Sequence, residues 1–263
     1  GLKLHWQAGD SAGLGAGQVG LLRLTEVHGA RRFRGTNGLY HTAFLLPDRQ
    51  ELARVVKRFF NQRITNYPTD HILTKSVYLD DLEGNNIEIY TESPEDGTFG
   101  VENGNIVAKR ADGTLSDGRE PMDLEELFSH LSRDDRLDAP MPSETRLGHV
   151  HLFVANLSAT RYFYHDLLGM DDMGIAQAFR MGMVSAGGYH HHIGYNTWQG
   201  EDAPPSPPNS LGMRYFTFNL PDASELDRMA EHMQQVNVAY ERREDGLFVR
   251  DPSQIGLLFT ALS

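Results

Sequence analysis

The sequence predicts an α+β fold built from repeated β-α-β-β-β modules. Residues 38–90 and 212–260 align: each begins with an apolar strand that ends in Leu-Pro-Asp, continues with an amphipathic helix, and closes with short strands split by a turn. A third copy begins with "LGHVHLFV" at residue 147. Three copies of one strand and helix pattern indicate a fold assembled from pairs of modules.

The first element is the strand-like opening "GLKLHWQAG", which resembles the segment "LLGMDDMG" after the helix of the third copy. Residues 1–35 therefore correspond to the second half of a first module. We expect the missing strand and helix, ~25 residues by comparison with the other copies, upstream of Gly1. The first module is then truncated at its N-terminus.

Module two spans 36–92, with the strand "GLYHTAFLLPD", the helix "RQELARVVKRFF" and strands that end in "DLEGNNIEIY". The next residues are rich in Gly, Asp and Pro and predict a surface connection, with a short helix at 122–132. Domain one is thus 1–118, followed by a linker at 119–144.

Domain two is 145–263 and contains modules three and four. Module three has a predicted strand at 147–154, a helix at 157–168 and strands that end in "HHHIGYNTW". The Pro-rich loop "EDAPPSPPNS" separates it from module four, whose helix is "SELDRMAEHMQQV".

Composition narrows the classes of function. The 263 residues include 40% hydrophobic residues, enough for a core, and no transmembrane or signal-like run, which makes the cytoplasm the default location. A net charge of −12 disfavours nucleic acid and anionic membranes as partners. With no cysteine and twelve histidines, any bound metal must have nitrogen and oxygen ligands.

Two polar residues stand in strands that are otherwise apolar. His41 lies on the face opposite Tyr40, Thr42 and Phe44, and Glu88 lies on the face opposite Ile87 and Ile89. A buried carboxylate needs a cation or another partner. Module four has Tyr215 and Leu258 at the two positions. The histidine and the carboxylate are therefore replaced together, as expected if the two residues serve one function. His71 and His5 are further histidines within reach.

Other motifs carry less information. "GAGQVG" at 15–20 has the G-x-G-x-x-G spacing, but it continues into the strand-like "LLRLTEV" rather than a helix, which argues against a dinucleotide site. The histidines of domain two could form a second metal site or a structural hydrogen-bond network. The absence of a carboxylate at 258 favours the network. These histidines are His149, His151, His190, His191 and His192.

The segments "GLYHTAFLLPDRQEL", "DHILTKSVYLDDLEGNNIEIY", "LGHVHLFVANLSATRYFYHDLLGM" and "YHHHIGYNTW" together resemble the vicinal oxygen chelate superfamily, and most closely its bacterial catechol 2,3-dioxygenase group. This resemblance covers most of the chain. It implies two open mixed β-barrel domains, with metal ligands on the first strand of each module of a pair and on the last strand of the second.

The resemblance implies that His41 and Glu88 bind a metal, with a third ligand, a histidine, upstream of Gly1. Domain two would offer His149, Tyr215 and Leu258, which is not a ligand set. The implied cofactor is Fe(II), with Mn(II), Ni(II) and Zn(II) as alternatives, and the implied substrates are a catechol and O2. His71 is the candidate acid/base group and Tyr78 a candidate hydrogen-bond partner of the bound oxygens. We also expect a homo-oligomer.

Two alternatives to an extradiol ring-cleaving dioxygenase remain open. One is a glyoxalase-type or isomerase-type metalloenzyme of the same fold, and the other is a non-catalytic, resistance-type protein that binds its ligand without a metal.

Overall fold

A computed structural model describes residues 1–262, which divide into two compact units. Unit 1 consists of Gly1–Ala30 and Tyr40–Val150, and unit 2 of Arg31–Leu39 and the chain from His151 onward. The segment 119–144, expected to be a linker, lies in unit 1. No helix among residues 1–262 is both long and apolar enough to cross a bilayer.

The helices are α1 (Arg49–Gln62), α2 (Leu124–Ser129), α3 (Leu157–Arg161) and α4 (Ala223–Gln235); α3 continues as a π-helical turn over Tyr162–Leu167, and a 3-10 turn spans Gln177–Phe179. The strands are β1 (Lys3–Ala8), β2 (Ser11–Ala16), β3 (Val19–Thr25), β4 (Gly38–Leu45), β5 (Tyr67–Asp70), β6 (Thr74–Asp80), β7 (Asn86–Glu92), β8 (Gly97–Glu102), β9 (Asn105–Arg110), β10 (Leu115–Ser116), β11 (Glu120–Pro121), β12 (Arg146–Phe153), β13 (Asp171–Ala176), β14 (Met181–Ser185), β15 (Ile193–Asn196), β16 (Tyr215–Leu220), β17 (Tyr240–Arg243), β18 (Gly246–Arg250) and β19 (Gly256–Ala261).

The predicted α+β fold and its module order are confirmed. Module two is β4-α1-β5-β6-β7, module three is β12-α3-β13-β14-β15, and module four is β16-α4-β17-β18-β19. In modules two and four the first strand pairs in parallel with the last, giving the open orders β5-β6-β7-β4 and β17-β18-β19-β16. The opening residues form the antiparallel sheet β1-β2-β3.

Alternation along the strands gives the module two sheet two different faces. Phe44, Val77 and Ile89 point toward α1, where they form a core with Leu52 and Val56, which are both fully buried. The neighbouring positions on the same strands therefore point to the opposite face, which is where the polar residues lie.

The repeated Pro-Asp marks the start of a helix in two modules. The Asp48 side chain accepts a hydrogen bond from the backbone N–H of Glu51 at the start of α1, and Asp222 does the same for Glu225 at the start of α4. This N-cap satisfies a backbone donor that the helix itself leaves without a partner.

The connection after module two is more ordered than its composition predicts. β8 and β9 form an antiparallel hairpin that turns at Asn103 and Gly104, both with positive φ. Asn-Gly between alternating apolar residues is a strong hairpin signal that the Gly, Asp and Pro content obscured. Residues 97–110 are therefore a folded hairpin and not an irregular connection.

Candidate metal centre

Three buried side chains of unit 1 converge on one point. His41 Nε2 lies 3.3 Å from His149 Nε2 and 3.2 Å from Glu88 Oε2, and His149 Nε2 lies 3.1 Å from the same carboxylate oxygen. The exposed fractions of the three residues are 4%, 6% and 3% in the order His41, His149, Glu88. Among residues 1–262, they form the one cluster of at least three potential ligands close enough to share a metal ion.

The strand pairing explains why these side chains meet. β4 runs parallel to β7 with Ala43 opposite Glu88. His41 lies two residues before Ala43, so its side chain is on the same face of the sheet as the Glu88 carboxylate. β12 lies next to β4 on its other side and contributes His149. Three adjacent strands thus each supply one donor from the face that α1 does not cover.

For His41 and Glu88, the electrostatics favour the protonation states that a metal requires. Burial lowers the pKa of His41, which keeps its imidazole neutral, although Glu88 partly opposes the shift. For Glu88, burial raises the pKa, but the electrostatic interactions and hydrogen bonds with His149 and His41 outweigh it and hold the pKa well below its usual value. Neutral imidazoles and an ionised carboxylate are the forms that bind metals.

The donor set fits a first-row divalent metal. Adjacent donors at ~2.1 Å from an octahedral metal are about 3.0 Å apart, close to the three separations observed. Two imidazoles and one carboxylate on one face are the ligands of non-haem Fe(II) oxygenases. The same three residues would also suit Mn(II), Ni(II) or Zn(II).

The predicted acid/base residue, His71, and the predicted hydrogen-bond partner of the bound oxygens, Tyr78, lie beside this cluster. His71 Nε2 is 2.9 Å from the Tyr78 hydroxyl, and His71 Nδ1 is 2.6 Å from the carbonyl oxygen of Gly118. Tyr78 is directly opposite Glu88 in the β6–β7 pairing, and its ring centroid is 5.7 Å from that of His41. Burial, followed by the charge of Glu88, raises the pKa of Tyr78 well above its usual value, so it is a neutral phenol.

His149 is the residue that sequence reasoning assigned elsewhere. The family resemblance groups it with Tyr215 and Leu258 of module four, whereas the structure brings it to His41 and Glu88 of module two. A signal was present: His41 and His149 precede their helix N-caps, Asp48 and Asn156, by the same number of residues. The first strands of modules two and three therefore carry histidine at equivalent positions.

The remaining candidate histidines have other neighbours. In unit 2, Asn196 Nδ2 donates to His151 Nε2 at 2.9 Å, His192 Nδ1 is 3.1 Å from the Ser185 hydroxyl, and His190 and His191 contact each other. His5 is exposed on β1. The structural role expected for His151 and His190–His192 stays a prediction, and Asn196 and Ser185 supply partners that such a role requires.

The internal comparison between modules two and four holds in three dimensions. Tyr215 is paired with Gly256 as His41 is with Asn86, so Leu258 occupies the register position of Glu88. Across the next pair of strands, Phe248 stands opposite Leu258 as Tyr78 stands opposite Glu88. Module four therefore has apolar or aromatic residues at the positions that form the cluster in module two.

Residues 146–257 match the family model of the glyoxalase/bleomycin resistance protein/dioxygenase superfamily. The chain is 37% identical over 219 residues to a catechol-2,3-dioxygenase of Bacillus subtilis (strain 168), covering 83% of this chain and 73% of that protein. Its fold is similar to a crystal structure of a putative dioxygenase from Bacillus subtilis (TM-score 0.60, 13% identity, 95% of this chain and 72% of the other). It is also similar to the cppA protein of Streptococcus pneumoniae TIGR4 (TM-score 0.53, 12% identity, 100% and 89%).

The extent and identity of the match to the Bacillus subtilis protein agree with the family model and with the module order of the structure. The chain belongs to the glyoxalase/bleomycin resistance protein/dioxygenase superfamily.

Proposed function

We propose that this protein is a metal-dependent extradiol dioxygenase that inserts O2 into the ring of a catechol next to its vicinal hydroxyl groups. The observation that carries the proposal is the buried triangle of His41 Nε2, His149 Nε2 and Glu88 Oε2, with sides of 3.1 to 3.3 Å. In this proposal His149 provides the third ligand that was expected upstream of Gly1.

The three side chains would hold Fe(II), which when bound supplies the redox chemistry for dioxygen and coordination positions for both catechol oxygens. The contribution of the chain is to present the donors in a site that excludes water. Because all three residues are buried and lie on neighbouring strands, little rearrangement is needed to bind the ion.

His71 and Tyr78 are suited to moving the proton that a catechol must lose. The Gly118 carbonyl can only accept a hydrogen bond, so His71 carries its proton on Nδ1 and leaves Nε2 free to accept from the Tyr78 hydroxyl. A proton received at Tyr78 Oη can therefore pass to His71 Nε2 as Tyr78 gives up its own. We propose Tyr78 as the group nearest the substrate and His71 as the acid/base partner behind it.

The related protein of Bacillus subtilis supports the substrate class, because its name specifies a catechol and ring cleavage at the 2,3 position. The superfamily also contains proteins of other activities, so the proposal depends on the cluster and on the adjacent proton acceptor as well as on this relative.

The test is metal analysis of freshly purified protein, followed by oxygen uptake and absorption of a yellow ring-fission product with a panel of catechols. We expect one iron per chain and stoichiometric oxygen consumption. Protein without stoichiometric metal that gains no oxygen consumption from anaerobic Fe(II) contradicts the proposal and favours a ligand-binding protein. Bound Ni(II), Zn(II) or Mn(II) without oxygen uptake favours a glyoxalase-type or isomerase-type enzyme. Light scattering of the same sample tests the expected homo-oligomer.

A further inference from the structure

The two oxygens of the Glu88 carboxylate have different surroundings. Oε2 faces the Nε2 atoms of His41 and His149, whereas Oε1 accepts a hydrogen bond of 2.6 Å from the Ser76 hydroxyl. Ser76 is fully buried. A buried hydroxyl that donates to a buried, ionised carboxylate makes a strong hydrogen bond.

Strand register places Ser76 where it can make this bond. β6 and β7 are antiparallel with Ser76 opposite Tyr90 and Tyr78 opposite Glu88, so Ser76 is the diagonal neighbour of Glu88 on the same face. Val77, the next residue, points into the core on the other face. Both ends of the hydrogen bond are therefore held by the sheet.

Module four shows that the hydroxyl accompanies the carboxylate. Its matching strand pair has Phe248 opposite Leu258, which makes Gly246 the equivalent of Ser76. The module that lacks the carboxylate thus also lacks the hydroxyl.

A carboxylate can bind a metal through one oxygen or through both. With Oε1 engaged by Ser76, Glu88 presents one oxygen to the point shared with the two histidines. A second bound oxygen would occupy a coordination position that a chelating catechol or dioxygen needs.

We propose that Ser76 is a positioning residue that keeps Glu88 a one-oxygen ligand and so preserves the coordination positions for substrate. This inference rests on the proposed function, because it assumes that the cluster of His41, Glu88 and His149 holds a metal.

The test compares Ser76→Ala with Ser93→Ala. Ser93 is also fully buried, but its hydroxyl has no hydrogen-bond partner among residues 1–262. Each protein is loaded with Fe(II) under argon, its metal affinity is measured by chelator competition, and its affinity for 4-nitrocatechol, a coloured bidentate catechol, is measured by visible absorption. Ser76→Gly, which introduces the residue of module four, provides a second variant if Ser76→Ala does not fold.

We expect a folded Ser76 variant to retain Fe(II) while binding 4-nitrocatechol roughly 10-fold more weakly, whereas Ser93→Ala matches wild type in both. Wild-type affinity for 4-nitrocatechol in a folded Ser76 variant overturns the inference. So does loss of Fe(II), because Ser76 would then be needed to hold the metal and not to keep positions open. Wild-type protein that binds no metal overturns the proposed function instead, so the two failures are distinguishable.

Discussion

The hydroxyl of Tyr90 lies 3.4 Å from His149 Nδ1, on the side of the imidazole opposite the nitrogen that faces Glu88. Tyr90 reaches this position only because residue 148 is glycine: a Cβ there would lie 1.8 Å from the Tyr90 oxygen. A ligand histidine whose second nitrogen has a hydrogen-bond partner is held in one tautomer and orientation. Tyr90 and Gly148 therefore act together on His149.

Tyr90→Phe should weaken metal binding by about 10-fold, because it keeps the ring and removes the partner of His149 Nδ1. Chelator competition measures the effect. Tyr195→Phe is the matched control, since Tyr195 is fully buried and its hydroxyl has no hydrogen-bond partner among residues 1–262. Equal metal affinity in both variants would show that Tyr90 does not orient the histidine.

Replacing a proposed metal ligand should reduce metal affinity more than replacing a hydrogen-bond partner of that ligand. Glu88→Ala and His149→Ala should each lose stoichiometric metal after desalting, with affinity reduced by more than ~100-fold, the upper range for outer partners of ligands. His191→Ala should retain the metal, because His191 lies in unit 2 and outside the cluster. Metal analysis of the three purified variants decides whether the metal is bound by the cluster or by His190–His192. Loss of metal from His191→Ala alone would place the metal site in unit 2.

The proposed proton path predicts loss of turnover without loss of metal. His71→Ala and Tyr78→Phe should each lower kcat by roughly 10²–10⁴-fold, the usual contribution of acid/base catalysis, and shift the pH profile of kcat. Tyr67→Phe, on the exposed part of β5, should behave as wild type. Steady-state oxygen uptake across pH gives the comparison, and an unchanged pH profile in both variants would exclude the path.

A buried carboxyl in unit 2 predicts a pH dependence of stability. Burial raises the pKa of Asp251 from 3.8 to about 6, although its Oδ1 accepts hydrogen bonds from the backbone N–H groups of Ser253 and Ile255. Between these pKa values the folded protein binds the proton and the unfolded chain does not. The contribution of Asp251 to stability therefore falls as pH rises from about 4 to about 6, by about 3 kcal/mol in total.

Asp251→Asn should remove this dependence and leave the protein more stable than wild type above pH 6. The asparagine oxygen can accept the same two backbone bonds, and its amide can donate to the Tyr164 hydroxyl, 3.2 Å from Oδ2 in the wild type. Urea unfolding of both proteins from pH 4 to pH 8 measures the difference. The prediction is contradicted if the free energies of unfolding of the two proteins differ by the same amount at every pH in this range.

The core between α1 and the module two sheet should contribute strongly to the stability of unit 1. Leu52 of α1 is fully buried against the sheet, and Leu52→Ala should lower the free energy of unfolding by roughly 2–5 kcal/mol. Leu82→Ala, at an exposed turn position, should change it by less than ~0.5 kcal/mol. Urea denaturation of apoprotein, which excludes a contribution from bound metal, compares the two; similar values would mean that α1 is not part of the cooperative core.

Structural features that depend on residues a few positions apart can be predicted from the sequence. The alternation around His41 and Glu88 predicted which face each occupies, and Asp48 and Asp222 marked the helix starts, because strand alternation and helix capping depend on residues a few positions apart. The hairpin of β8 and β9 differs from the surface connection that composition predicts, although Asn103 and Gly104 signal it locally.

By itself the sequence determined the repeated module, the α+β fold and the pairing of His41 with Glu88, since all three are visible as patterns within one module. Only the tertiary structure decided that His149 joins them. That residue is brought to the cluster because β12 lies beside β4, and the choice of neighbour for a strand edge depends on packing between segments far apart in the chain. No local pattern specifies which strand lies beside β4, and the third donor depends on that neighbour.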